Sequence, residues 1–201
     1  MSDTSADEEI RGSQDGPGSA EEPSVTVRPA DRADLLDVLR IERDAFSEPW
    51  PYAAFESVLD APAFLVAVGE VEQRSASEEA SGEKRAASRE GVDGPQALLG
   101  YVVGDVMPNH GRDIGHIKDL AVRSDARGRG IGRRLLREAL FGLALAGAAV
   151  AKLEVREGNE AARSLYREEG FEPTRRVPRY YGDGEDALIL VVDVDSWYST
   201  A

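Results

Sequence analysis

Apolar residues along this chain switch between two spacings. Ser24–Arg28 (SVTVR), Phe64–Val68 (FLVAV), Ala97–Val106 (ALLGYVVGDV), His116–Val122 (HIKDLAV) and Val150–Val155 (VAKLEV) are short β-like runs, and two more follow near Phe171–Val177 and Ala187–Val194. Between them the spacing lengthens to the helical period. Ile131, Leu135, Leu136, Leu140 and Leu143 predict one long helix. Asp31 is placed to cap another that runs to about Phe46, with Leu35, Leu36, Leu39 and Phe46 toward the core. The turn SEPWP leads into a second helix near Tyr52–Leu59. Asn159 is predicted to cap a helix over Glu160–Glu169, which Gly170 ends at the C′ position. The predicted order is βααβββαβαββ, a mixed α/β fold of seven strands and four helices within residues 24–196.

Two stretches break the pattern. Residues 1–23 carry Ser, Gly, Asp and Glu with almost nothing apolar, and are expected to be a disordered acidic tail. A second such stretch at about 72–96 separates the runs Phe64–Val68 and Ala97–Val106. It reads as a disordered, solvated insertion in a hairpin loop, which costs little closure entropy.

Composition narrows the chemistry. Of 201 residues, 41% are hydrophobic, enough for a real core. With no cysteine, disulfides, thiolate-ligated zinc and a thiol nucleophile are excluded, and the two histidines, His110 and His116, make a histidine-based metal site an unsuitable reading; no metal is expected. No apolar run has the length of a membrane span and no signal-peptide core is present, so a cytoplasmic protein without membrane association is the expectation. The net charge of −14 argues against direct binding of nucleic acid. Only three of 24 basic residues are lysines, Lys84, Lys118 and Lys152. An acid-rich, lysine-poor surface suits very high salt, so a halophilic source is expected; a GC-rich genome would explain the arginines but not the acidic excess.

The segment Arg127–Leu136, RGRGIGRRLL, puts Gly128, Gly130 and Gly132 among arginines where strand gives way to helix. A helix N-terminus offers free N–H groups and partial positive charge, and glycine lets a phosphate approach without a Cβ in the way. Arg127, Arg129 and Arg133 can add charge-assisted hydrogen bonds. A Walker loop would need a Gly-Lys-Ser/Thr ending, and a Rossmann loop a Gly-x-Gly-x-x-Gly spacing after the first strand; neither is here. By itself the segment reads either as a phosphate cradle or as a basic surface turn.

The wider constellation decides between them. LAVRSDARGRGIGRRLL, followed by LEVREGNEAARSLYREEGF and YYGDGEDALIL, resembles the GNAT acetyltransferases over roughly Val25–Val194, apart from the insertion. Within that family it is most similar to the N-terminal protein acetyltransferases of the bacterial ribosomal-protein-alanine type and the archaeal broad-specificity type. The resemblance implies the GNAT fold, a mostly antiparallel mixed sheet, with acetyl-CoA as co-substrate. It assigns the diphosphate to Arg127, Gly128, Arg129, Gly130, Ile131 and Gly132. Leu120, Ala121 and Val122 would line the pantetheine and acetyl group, and Asn159 would contact the cofactor arm.

Acetyl transfer to an amine needs a neutral amine, a polarised carbonyl and a proton for the departing thiolate. A protein α-amine has a pKa of about 8, against about 10.4 for lysine, so a chain end needs only a modest base. Alternation puts Glu154 with Lys152 and Arg156 on one face and Leu153 and Val155 on the other. Periodicity alone reads Glu154 as a surface glutamate paired to a cation; the resemblance makes it the general base. Tyr166 reads as a core tyrosine beside Ala162 and Leu165; the resemblance puts it near the CoA sulfur as the acid. His116 fits either a proton relay with Glu154 or a structural hydrogen bond, whereas His110 reads as plain loop. By the same resemblance Glu48 and Trp50 belong to the loop that recognises the first substrate residues, and Tyr180 and Tyr181 bond the substrate backbone. Trp50 also reads as a hydrophobic plug between helices.

These features imply acetylation of the N-terminal α-amine of ribosomal or nascent proteins, with the ribosome or ribosomal proteins as partner. Two alternatives stand beside it: the same fold acting on lysine or a small amine, and a silent acyl-CoA-binding sensor.

Overall fold

The computed structural model describes residues 25–70 and 96–200. The expected acidic tail and, apart from Gln96, the expected hairpin insertion lie outside the described residues. Seven strands form one sheet: β1 (Thr26–Pro29), β2 (Leu65–Glu70), β3 (Gln96–Met107), β4 (Asp113–Val122), β5 (Ala148–Arg156), β6 (Glu172–Val177) and β7 (Ala187–Asp193). Their spatial order is β1-β2-β3-β4-β5-β7-β6. Every neighbouring pair is antiparallel except β4–β5. The helices are α1 (Leu35–Ala45), α2 (Tyr52–Ser57), α3 (Ile131–Leu145), α4 (Glu160–Glu168) and α5 (Val194–Thr200). The fifth was not expected; its Val194 and Trp197 pack into the α3 side of the core. Among the described residues no helix is long and apolar enough to cross a membrane.

The sheet has a core on each face. Ile131, Leu135, Leu136, Leu140 and Leu143 of α3 are all buried against Leu99, Val102, Ile117 and Leu153, as their spacing predicts. Opposite, Leu35, Val38, Leu39 and Ile41 of α1 pack with Phe55, Phe64, Tyr101 and Val103. Two α1 assignments fail. Leu36 is 61% exposed and Phe46 38% exposed. Leu36 is one residue, about 100° of helical rotation, away from Leu35. Phe46 follows the last helical residue in extended conformation, so helical spacing no longer sets its direction. The buried stripe instead continues to Glu42.

Local signals fix the ends of elements much as the sequence suggests. The Asp31 carboxylate accepts the Ala33 N–H at 2.7 Å and closes a capping box with Asp34, starting a single 3₁₀ turn that runs into α1. The Asn159 side chain accepts the Ala162 N–H at 3.1 Å. After α4, Phe171 N–H bonds Tyr166 C=O and Gly170 N–H bonds Arg167 C=O, with Gly170 at φ 84°. These are the two bonds of a Schellman cap, which needs the left-handed glycine.

The parallel pair β4–β5 does not run to the ends of its strands. It is paired from Asp113↔Ala148 to Ile117↔Leu153. Beyond that point β4 follows β3, as far as Gly100↔Val122, and β5 follows β7, as far as Arg156↔Ala187. The strands fork where β4 carries a bulge: Val103 pairs with Asp119 but Gly104 with Ile117, leaving Lys118 without a counterpart. A bulge bends its strand and shifts the alternation by one. Ile117 therefore joins the α3 core, whereas Asp119 and Ala121 turn to the α1 side.

Candidate active site

The fork supplies the site's framework. From Asp119 to Val122, β4 is paired with β3 along one edge and has no β5 partner along the other. Backbone groups on that open edge are available to an extended polar ligand. Leu120, Ala121 and Val122 all lie on this stretch.

At its end the chain enters the glycine turn. Gly128 and Gly130 have φ of 78° and 75°, a region open to glycine at little cost. Gly130 is the N-cap of α3, and no side chain caps that helix. The first-turn N–H groups of a 15-residue helix are thus left to solvent or a ligand. Gly132 faces inward: a Cβ there would lie 3.7–3.8 Å from Leu165, Val122 and Leu120. The arginines divide their work. Arg127 Nε donates to Val122 C=O at 3.1 Å and ties the turn to the strand end. Arg133, expected to face a phosphate, pairs instead with Glu168 and, at 3.2 Å, with buried Glu169, bracing α3 against α4. Arg129 has no ion-pair partner among the described residues and is the arginine of this turn most available to an anion.

On the other face of the fork, His116 and Glu154 meet. His116 is the fourth residue of β4 rather than its start, and its Nε2 lies 2.6 Å from Glu154 Oε2. Lys152 Nζ is 3.4 Å from the second Glu154 oxygen. Both side chains of the His116–Glu154 pair are mostly buried. Burial alone would raise the Glu154 pKa, but the hydrogen bond and charge of His116, with Lys152, outweigh it and hold the carboxyl below its ordinary value. Alternation along β5 is as expected, with Leu153 and Val155 in the core and Lys152, Glu154 and Arg156 on the opposite side.

Tyr166 is buried on α4 and packs on Phe171 with ring centroids 5.8 Å apart. Burial above all pushes its pKa well above the ordinary phenol value. The hydroxyl keeps its proton at any working pH, which suits a donor and not a base. Tyr181 and Tyr180 stand edge to face at 5.1 Å in the β6–β7 loop. Arg156 lies over the Tyr181 ring at 3.9 Å while its Nη1 reaches Asp183 and Glu185, each at 2.7 Å. Arg179, left-handed at φ 52°, is held by its N–H to Asp186 at 2.8 Å. Burial raises the Tyr181 pKa to about 12 against the opposing charge of Arg156; Glu154 is among the groups that raise it. Burial and Glu154 also raise the Tyr180 pKa. Both tyrosines therefore lie within electrostatic reach of the His116–Glu154 pair.

The loop between α1 and α2 closes the group. The Glu48 carboxylate sits against Gly182, where any side chain would collide with it. Glu48 thus meets the loop that carries Tyr180 and Tyr181. Trp50 is half-buried against Phe55, ring centroids 5.5 Å apart, so the plug reading describes its ring. The backbone N–H of Trp50 donates to Glu42 Oε1 at 2.7 Å.

His116, Glu154, Tyr180, Tyr181 and Glu48 are thus brought to one side of the fork, the open β4 edge and glycine turn adjoin it, and Asn159 is engaged in capping α4. The sequence reading missed Asp119, Tyr101 and Glu42, which form a buried cluster beside the site. Glu42 had a signal, since it continues the spacing of Leu35, Val38 and Leu39. Asp119 had none, because its direction depends on the bulge.

Comparison with known proteins agrees with this architecture. The family model for the acetyltransferase (GNAT) family matches residues 35–171. The chain is 32% identical over 175 residues to the N-alpha-acetyltransferase RimI of Mycobacterium tuberculosis, covering 86% of this chain and 94% of that one. It is 31% identical over 179 residues to the N-alpha-acetyltransferase of Sulfolobus acidocaldarius, covering 82% and 89%. Among solved structures, a chain of the NatC complex bound to Gag peptide and CoA superposes with a TM-score of 0.68 at 24% identity, covering 84% of this chain and 98% of that chain.

Proposed function

The chain belongs to the GNAT acetyltransferase family, and from that premise we propose that it transfers the acetyl group of acetyl-CoA to the N-terminal α-amine of proteins, ribosomal or nascent. One observation carries the choice of a chain end over a side chain: Glu48 packs on Gly182 of the loop whose tyrosines feel the charge of Glu154. Two loops that meet beside a mostly buried His–Glu pair suit an extended peptide terminus. The naming of similar proteins as N-alpha-acetyltransferases supports the same reading.

In this reading acetyl-CoA lies along the open edge of β4, its diphosphate against the Gly128–Gly132 turn and Arg129. Glu154, oriented by His116, receives the amine proton directly or through water. Backbone N–H groups near Val122 hold the developing oxyanion, and Tyr166 returns a proton to the thiolate. The test is turnover with matched peptides. A peptide with a free N-terminus should be acetylated, and its N-terminally blocked, lysine-containing counterpart should not. The reverse preference would favour the lysine or small-amine reading, and no turnover with intact CoA binding would favour the sensor.

The cofactor placement gives a second expectation. Gly132→Ala should stabilise the helix by about 0.4–1 kcal/mol, because the backbone is helical and the added methyl meets only ordinary contacts. Gly132→Val adds bulk toward Leu120 and Val122. Calorimetric titration should show its CoA affinity falling, because that bulk displaces two residues assigned to the cofactor path; the overpacking itself costs about 1–3 kcal/mol of folding stability. Unchanged affinity in the folded valine variant would move the cofactor away from this turn.

A further inference from the structure

Glu42, Tyr101 and Asp119 are brought together from α1, β3 and β4, and all three are buried. The Tyr101 hydroxyl donates to Glu42 Oε2 and lies 3.0 Å from Asp119 Oδ2. The remaining Glu42 oxygen accepts the Trp50 backbone N–H at 2.7 Å. No lysine or arginine among the described residues pairs with either carboxyl group.

Glu42 and Asp119 hydrogen-bond each other directly, which needs one of them protonated, and three oxygens in a row, Glu42 Oε2, Tyr101 Oη and Asp119 Oδ2, make two further close contacts. The phenol brings one proton. The second must sit on a carboxyl group. Glu42 already accepts from Trp50 and Tyr101, as a carboxylate does, so the proton belongs on Asp119. Two bare carboxylates this close in a dry core would repel strongly. The groups facing Asp119 are Glu42 from α1, Tyr101 from β3, Tyr166 from α4 and the Leu120 N–H of its own strand. Burial first, then the charge of Glu42, push the Asp119 pKa up to about 8, in agreement with the count.

We propose that Glu42 and Asp119 share a single proton beside the Tyr101 hydroxyl, and that Glu42, held in this way, is the positioning residue that fixes the α1–α2 loop to the open stretch of β4. The loop carries Glu48, and Asp119 immediately precedes Leu120. The network therefore sets the distance between the loop assigned to the peptide and the strand assigned to acetyl-CoA. The effect on peptide binding rests on the function proposed above; the shared proton and the anchored loop do not.

Two measurements need no substrate. In the full chain labelled with ¹³C at aspartate Cγ, one carboxyl group, identified by its loss in Asp119→Asn, should titrate well above the others. In Glu42→Gln it should fall toward the ordinary range. Backbone amide exchange at Trp50 should accelerate about tenfold or more in Glu42→Gln and Asp119→Ala, since a buried hydrogen bond is lost or loosened. Asp119→Asn retains an N–H donor toward Tyr101 and should keep Trp50 protected. If Glu42→Gln does not fold, the asparagine–alanine contrast at Asp119 decides. Asp119 titrating with the other aspartates, or asparagine behaving like alanine, overturns the proposal. With a peptide that turns over, Glu42→Gln should raise peptide KM about tenfold and leave acetyl-CoA KM unchanged; equal rises in both would also overturn it. If no peptide is acetylated by the wild type, the proposed function fails while the carboxyl titration and amide exchange still judge this inference.

Discussion

Replacing Glu154 with glutamine is expected to lower turnover by roughly 10²–10⁴-fold, the range for loss of a positioned base. Glutamine keeps the size and a hydrogen bond to His116 but cannot take a proton. The Glu154 carboxyl is held below its ordinary pKa by His116, 2.6 Å away, and by Lys152. It is therefore charged throughout the neutral range, and the acid limb of the wild-type profile belongs to the substrate amine, whose pKa is about 8. Raising the pH should recover part of the loss in the variant, because an amine near its own pKa no longer needs help. The check is turnover against pH at saturating acetyl-CoA with a free N-terminal peptide. A wild-type profile at a near wild-type rate would move the proton to His116 or to water. Stability has its own sign. A depressed folded pKa contributes stability above the unfolded value of about 4.3 and loses it as pH falls through the folded one. Glu154→Gln should therefore lose part of the wild type's neutral-pH stability and show a shallower fall in Tm on acidification.

Tyr166→Phe should also slow the chemical step by roughly 10²-fold or more, with a different signature. Burial above all keeps the wild-type hydroxyl protonated. Its loss removes an acid, so high pH should not rescue the variant. The ring stays, packed on Phe171. CoA binding, measured by titration, should persist while single-turnover acetylation slows. Slow turnover that recovers at high pH would contradict the donor role, and an unchanged rate would give the thiolate's proton to solvent.

Much of this protein was legible before its structure. Local rules set the elements: the period along α3, the Asp31 and Asn159 caps, the Gly170 stop and the alternation of Leu153, Glu154 and Val155 each depend on neighbours a few residues away. The glycine turn was legible for the same reason, since a bare backbone at a helix start is a local property. Failures came where local rules stop. Phe46 points elsewhere because the helix ends before it, and Arg133 turns to Glu168 and Glu169, which lie 35 and 36 residues further along the chain.

What only the tertiary structure decided is how strands from distant parts of the chain diverge. One bulged residue, Lys118, reverses the alternation of β4 and sends Asp119 to the face where Glu42 and Tyr101 wait. The same divergence opens the β4 edge and leaves His116 against Glu154 at the fork. Sequence alone determined which residues could carry charge, cap a helix or bare a backbone. Which of them meet depended on strand register, and register is set by the packing of both sheet faces at once, a sum over long-range contacts that no local spacing contains.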